Sequence, residues 1–291
     1  MSTTVISGKI VSEHRRMKLK ERVQSCLQKF GRTPCLAVVI VGDNKASHVY
    51  VRNKEKACAD LGIRSIRIDL SANCSQLELN GQIAKLVYDQ SVDGILVQLP
   101  LPPQLSDKIV AQMIPGEKDA DGFTYLSLGQ LMGDVSKVAP CTPAGVMALL
   151  EYYKVPIEGK HAVVVGRSLI VGKPMAQLLT RANATVTVCH SRSGDIRRFT
   201  RDADIVVVAA GKREFMGRED FKQGAVVIDV GIHGTGDGKS ITGDVRYKEL
   251  EGWASAATPV PGGVGPMTIT MLLENTIELM EQRLSARGSN S

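Results

Sequence analysis

The chain has 291 residues, 43% hydrophobic and 23% charged, which is enough apolar material to build two α/β domains. Its net charge of +6 is dispersed, aromatics make up only 4%, and no nucleic-acid-binding motif is present, so the charge is read as suiting small polyanionic ligands. No apolar run is long enough to span a bilayer, and His14, Arg15, Arg16, Lys18 and Lys20 come too early for a signal peptide, so a soluble cytoplasmic protein with no membrane partner is expected.

The cysteines Cys26, Cys35, Cys58, Cys74, Cys141 and Cys189 lie far apart with no CxxC pair, which predicts reduced packing thiols. With no HExxH, no closely paired histidines and no calcium-loop spacing of carboxylates, no metal site is predicted.

In chain order, LAVVIV (36–41) reads as a buried strand and is followed by a helix from about Ala46 to Leu61. A strand over Ser65–Leu70, a helix over Ser75–Tyr88 and the strand GILVQL (94–99) follow, the last stopped by LPLPP. The apolar strands are continuous rather than alternating, which indicates parallel sheets covered by helices. A second series opens after Pro140, where Thr142 reads as an N-cap and Pro143 as the first helical residue of a helix reaching Tyr153. The strands HAVVVG (161–166), TVTVCH (185–190), IVVVAAG (205–211) and AVVIDVG (225–231) come next. A Gly/Pro-rich segment (259–266) then precedes a final helix over Met267–Leu284, and the polar tail Ser285–Ser291 reads as disordered. The predicted fold is α/β, with residues 1–140 plus 267–291 as a catalytic domain and 141–266 as a Rossmann-type dinucleotide domain. An active-site cleft is expected between the two.

The segment VVVGRSLIVGKP (163–174) runs strand, glycine turn, helix start. Gly166 permits the tight turn, Gly172 permits close packing, and the N–H groups of the helix start can cradle a pyrophosphate. It departs from GxGxxG because Ser168 takes the second glycine position, and taken alone such a turn is as readily structural as functional. The next strand ends His190-Ser191-Arg192-Ser193 rather than in the carboxylate an NAD site presents. Hydroxyls and a guanidinium, with Arg167 nearby, suit a 2′-phosphate and predict NADP as the cofactor.

A candidate chemical site comes from the first domain. Tyr50 and Lys54, four apart, share one helix face. Gln98 closes a strand, and Asp121 sits in the turn KDADGF. A phenol, an amine, an amide and a carboxylate could hold a polar heterocycle and move protons. Each also has a plain alternative: an amphipathic helix surface, a satisfied strand end, a common Asp-Gly turn.

At this point the blocks VGDNKASHVYVRNKEKACADLGI (41–63), DGILVQLPLP (93–102), KDADGF (118–123) and PCTPAG (140–145) resemble the bifunctional methylenetetrahydrofolate dehydrogenase/cyclohydrolases. GRSLIVGKP (166–174), CHSRS (189–193), VIDVGIH (227–233), GDV (243–245) and TPVPGGVGPMT (258–268) complete the match over nearly the whole chain. The chain departs from the family pattern at Ala120 (usually Val), His233 (commonly Asn) and Ser193 (more often Thr). The resemblance implies a folate substrate, a homodimer, and Lys54 as the central catalytic residue assisted by Tyr50 and Gln98, with Asp121 anchoring the pterin. It further implies substrate contacts from Val97, Gln98, Leu99 and the loop Pro261, Gly262, Gly263, Val264, Gly265, Pro266, Met267 and Thr268. On the cofactor side it implies Gly166, Arg167, Ser168, Gly172, Ser191 and the backbone of Ile232.

Three other readings share parts of this pattern. A shikimate- or amino-acid-type dehydrogenase has the same two-domain plan, so fold alone does not separate it. A dehydrogenase lacking the hydrolase would keep the fold without the full lysine site, and a non-catalytic NADP sensor would turn over no folate.

Overall fold

The computed structural model describes residues 2–234 and 240–288. In chain order its elements begin with β1 (Thr4–Val5), α1 (Gly8–Phe30), β2 (Cys35–Val41), α2 (Lys45–Leu61), β3 (Arg64–Leu70), α3 (Gln76–Tyr88) and β4 (Gly94–Val97). They continue with α4 (Asp107–Met113), α5 (Tyr125–Met132), α6 (Cys141–Tyr152), β5 (His161–Val165), α7 (Gly172–Arg181), β6 (Thr185–Cys189), α8 (Arg197–Thr200) and β7 (Ile205–Val208). The remainder are β8 (Val226–Asp229), β9 (His233–Gly234), β10 (Ile241–Thr242), β11 (Ala256–Ala257) and α9 (Val264–Gly288).

The chain divides into two compact units, residues 15–139 with 269–291, and residues 1–14 with 140–268. The expected boundary near 140 coincides with one division. The N-terminus differs from the expectation, because β1 pairs in parallel with β11 and so adds Thr4–Val5 to the sheet of the second unit. α1, which the reading of the sequence did not anticipate, begins in that unit and continues into the first.

In the first unit β2 is the central strand of a parallel sheet ordered β3-β2-β4. CLAVVIV is buried at every position, as a strand paired on both sides and covered on both faces must be. α2 is capped at Asn44, whose side chain accepts from the Ser47 N–H at 3.1 Å. α3 is capped likewise by Ser75, which accepts from the Glu78 N–H. The buried Lys118 ammonium donates to the carbonyls of Leu86, Val87 and Asp89 at 3.1, 2.7 and 2.7 Å, closing the end of α3. Burial pushes its pKa down, with Arg283 adding to the shift.

The second unit holds a six-stranded sheet ordered β1-β11-β8-β7-β5-β6, parallel throughout. β5 lies between β6 and β7, so the chain reverses its direction of travel across the sheet at β5, the place where open α/β sheets bind ligands. Each of these strands ends one to three residues before its apolar run does. The residues left over form the loops at the sheet's C-terminal edge.

Two local expectations are corrected. α6 begins at Cys141 with Pro140 before it and has no side-chain cap. Thr142 lies inside the helix, where its hydroxyl bonds that of Thr268 at 3.0 Å instead of closing the helix end. The last helix starts at Val264 and runs to Gly288, so Ser285–Gly288 is helical, while 289–291 lie outside the described residues. All six cysteines are buried free thiols, and burial pushes Cys26 and Cys58 up to about 12.

The first unit is pinned at its base by a buried acid. Asp93, fully buried, binds Arg32 through both oxygens at 2.6 and 2.7 Å, pairs with Arg283 of α9, and accepts the Cys35 N–H at 2.9 Å. Removing one member of such a buried network leaves the others uncompensated. Asp93→Asn is therefore expected to destabilise the protein by about 3 kcal/mol, read as a lower urea midpoint at unchanged slope. A midpoint within error of the parent would contradict the assignment.

Candidate active site

In the first unit, α2 starts directly from the end of β2 and carries Tyr50 and Lys54 one turn apart. Lys54 Nζ donates to Gln98 Oε1 at 2.9 Å, and Gln98 Nε2 donates to its neighbour's carbonyl, Leu99 O, at 2.7 Å. The second bond orients the amide, so its oxygen faces the amine. Gln98 follows the last residue of β4, and its own N–H donates to Val39 O at 2.8 Å, so strand pairing sets its place. Tyr50 is 40% exposed and its ring is accessible to a ligand.

The turn that holds Asp121 is organised by a neighbour. Buried Asp119 accepts the N–H groups of Gly122 at 2.9 Å and Thr124 at 2.8 Å, and it bridges in parallel to Ile95 of β4. Asp121 itself is half-buried. Val97, by contrast, turns its side chain into the core beneath the sheet, so it has only backbone to offer a substrate.

Sequence reading missed His48 and Arg67. Arg67 Nη2 donates to His48 Nδ1 at 3.0 Å, which leaves Nε2 to donate to Gly42 O at 3.0 Å and tie the first turns of α2 to the loop before it. Arg67 comes from β3, an apparently ordinary edge strand, and no spacing in the sequence links the two residues.

In the second unit a cavity of about 400 Å³ opens at the point where the strand order reverses. Its lining includes Gly166, Arg167 and Ser168 after β5, Ser191 after β6, and Ala210 and Lys212 after β7. The backbone fits a phosphate-bearing ligand. Gly166 has φ +140°, and a Cβ there would stand 2.3 Å from Ala209 O. A Cβ on Gly172 would stand 2.3 Å from Gly166 O, so only glycine lets α7 start against the turn. Ser168 Oγ accepts the N–H groups of Val171 at 3.2 Å and Gly172 at 3.3 Å, so this hydroxyl shapes the turn and has its proton to offer outward.

At the end of β6, Ser193 Oγ accepts the His190 N–H at 2.9 Å and serves the turn, which leaves Ser191 and Arg192 exposed. Lys212 and Phe215, not singled out in the sequence, also line the cavity, with the Lys212 ammonium 5.0 Å from the Phe215 ring centroid. Their signal was available, because IVVVAAG is the third strand end of the series and its loop continues GKREF. Ile232 is 44% exposed just beyond β8.

The loop 261–268 also belongs to the second unit. Gly262 O accepts the Gly8 N–H at 2.8 Å, and Val264 and Met267 are buried. Pro261 is exposed, and Gly262, Gly265, Pro266 and Thr268 are partly so, which leaves these five as the accessible residues of the expected substrate loop.

The dinucleotide-type turn of the second unit and the oriented lysine of the first define the class, a dinucleotide-dependent enzyme. Residues 6–121 match the catalytic domain of tetrahydrofolate dehydrogenase/cyclohydrolase, and residues 140–284 match the NAD(P)-binding domain of the same enzymes. The bifunctional protein FolD of Bdellovibrio bacteriovorus is 58% identical over 279 residues, covering 96% of this chain and 97% of the relative. The crystal structure of the bifunctional methylenetetrahydrofolate dehydrogenase/cyclohydrolase from Campylobacter jejuni superposes with a TM-score of 0.94 at 46% identity, covering 97% of this chain and all (100%) of that one. The Trypanosoma brucei enzyme, complexed with NADP cofactor and inhibitor, gives 0.93 at 39% identity over 98% of this chain and 99% of its own.

The chain belongs to the tetrahydrofolate dehydrogenase/cyclohydrolase family. It oxidises 5,10-methylenetetrahydrofolate to the 5,10-methenyl compound with NADP and hydrolyses that product to 10-formyltetrahydrofolate. This separates it from the shikimate- and amino-acid-type dehydrogenases that share its two-domain plan. Among the described residues no helix is long and apolar enough to cross a membrane.

Gly166→Ala places a methyl group against Ala209 O and a side chain at a backbone conformation that costs about 1–3 kcal/mol. NADP affinity is expected to fall by at least about tenfold, measured by isothermal titration calorimetry. Wild-type affinity in this variant would show that the turn does not carry the cofactor.

Proposed function

We propose that one amine, Lys54, held by Gln98, manages the protons of the hydrolytic step and orders the folate for oxidation. The supporting observation is the 2.9 Å bond from Lys54 Nζ to Gln98 Oε1, made where α2 and the end of β4 converge. Tyr50 stacks against the pterin-bearing substrate, and Asp121 takes the hydrogen-bonding edge of the pterin. The accessible part of the loop 261–268 borders the folate, and Arg167, Ser168 and Ser191 hold the phosphates of the dinucleotide.

Bound NADP supplies the hydride acceptor for oxidation of the methylene carbon. The chain's contribution to that step is placement, which dominates hydride transfer between two held carbons. The product is a cationic methenyl bridge between two folate nitrogens, and its charge beside Lys54 favours the neutral amine. In hydrolysis a water oxygen bonds to the methenyl carbon while Lys54 Nζ takes the water's proton. The ammonium so formed returns a proton to N5 as the C–N5 bond breaks, and the adduct's hydroxyl releases its remaining proton to solvent as the C=O forms, leaving the formyl group on N10. Gln98, a neutral acceptor, can orient the amine in both protonation states.

The enzyme works in the cytosol as a homodimer on this reading, supported by the resemblance along the whole chain and by the lack of a membrane-spanning helix among the described residues. Its NADP preference rests on Ser191 and Arg192 standing where an NAD site presents an acid.

Lys54→Met is expected to lower methenyl hydrolysis by about a thousandfold or more, followed as loss of methenyl absorbance, while NADP affinity stays at the parent value. Gln98→Ala is expected to lower hydrolysis by about tenfold to a hundredfold. Hydrolysis at the parent rate in the Lys54 variant would remove the lysine from the mechanism.

A further inference from the structure

The loops behind the dinucleotide cavity meet at one carboxylate. Asp244 is fully buried and takes four donors: the N–H groups of Ala210 at 2.6 Å, Gly211 at 2.9 Å and Lys212 at 2.9 Å, and Nε2 of His233 at 2.7 Å. Ala210 and Lys212 line the cavity. His233 follows Ile232 on the loop that leaves β8, so this one side chain ties the loop after β7 to the loop after β8.

Asp244 is itself held from behind. Asp229, the last residue of β8, accepts the N–H groups of Gly231 at 2.9 Å and Asp244 at 3.0 Å through Oδ1, and that of Val245 at 2.9 Å through Oδ2. Burial pushes the Asp229 carboxyl up to about 6 against these donors, and the neighbouring Asp244 adds to the rise.

Three successive backbone N–H groups converging on one point form a nest of the kind that binds anions. In this wall the anion is the protein's own carboxylate. The donors of residues 210–212 are therefore consumed internally, and the cofactor's phosphates are left to the turn at Gly166–Gly172.

We propose that Asp244 is a positioning residue for the dinucleotide, with His233 as its second anchor. By filling the nest it fixes the wall of the cavity after β7 and keeps that wall from competing for phosphate. The role falls to His233 because its imidazole Nε2 reaches the carboxylate directly, at 2.7 Å from Asp244 Oδ1. The proposal rests on the assignment of the cavity to NADP.

The test is steady-state oxidation of methylenetetrahydrofolate by the full-length enzyme, varying NADP, for the parent, Asp244→Asn and His233→Ala. In Asp244→Asn an NH₂ group faces backbone donors, and the KM for NADP is expected to rise by about tenfold or more. In His233→Ala, which loses one half-exposed donor, a rise of about threefold is expected. In both, kcat at saturating NADP should stay within about twofold of the parent, because Asp244 touches no reacting atom.

Folded Asp244→Asn with the parent KM, or a fall in kcat at unchanged KM in either variant, would overturn the proposal. Should Asp244→Asn not fold, the His233→Ala result decides alone, and a parent KM there overturns it as well. A parent enzyme that fails to bind NADP in the same titration would instead overturn the cavity assignment.

Discussion

The lysine site depends on the pairing of β2 with β4. Val39 lies opposite Val97 in that parallel ladder, and the same ladder continues one residue further, with the Gln98 N–H on Val39 O. Because α2 follows the same, C-terminal end of β2, the helix that carries Lys54 and the strand that leads to Gln98 are referenced to a single buried strand. A shift of one residue in that register would turn Gln98 to the opposite side of the sheet and separate the pair. Each residue of β2 is buried, so the register is fixed by the core that also stabilises the unit.

The second unit meets a different constraint, which is disposal of backbone polar groups. Strands β5, β6, β7 and β8 all end at one edge, where N–H groups of the segments that follow have no sheet partner. The chain satisfies them by internal acceptors: Ser168 Oγ at the turn after β5, Ser193 Oγ after β6, and Asp244 after β7. The cavity is what these closures leave open, and its shape follows from side chains bonded to the backbone of the loops around it.

Much of this was legible in the sequence. The apolar runs gave every long strand, the glycine turn at Gly166–Gly172 falls at the cavity, and the blocks around Lys54 and Gln98 hold two side chains that bond at 2.9 Å. Strand ends were overextended because apolarity persists into loops whose backbone has already turned. Thr142 was misplaced because Thr-Pro is a common helix start, and the hydroxyl bond to Thr268 that competes with capping spans 126 residues. α1 was missed because its basic face hides its periodicity, and much of its polarity is matched by acids far along the chain, such as Arg15 with Glu274 and Arg22 with Glu278. The roles of His48, Arg67 and Asp244 were not legible, since they exist only after segments distant in sequence meet.

The most direct test of the central claim is chemical rescue. Lys54→Ala, with methenyltetrahydrofolate and small primary amines of graded basicity, asks whether the missing element is an amine that carries a proton. The account predicts that hydrolysis is nearly lost without added amine and is restored in proportion to the concentration of neutral amine, more strongly by the more basic ones. Hydrolysis at the parent rate without rescue, or a residual rate indifferent to every amine, would contradict it.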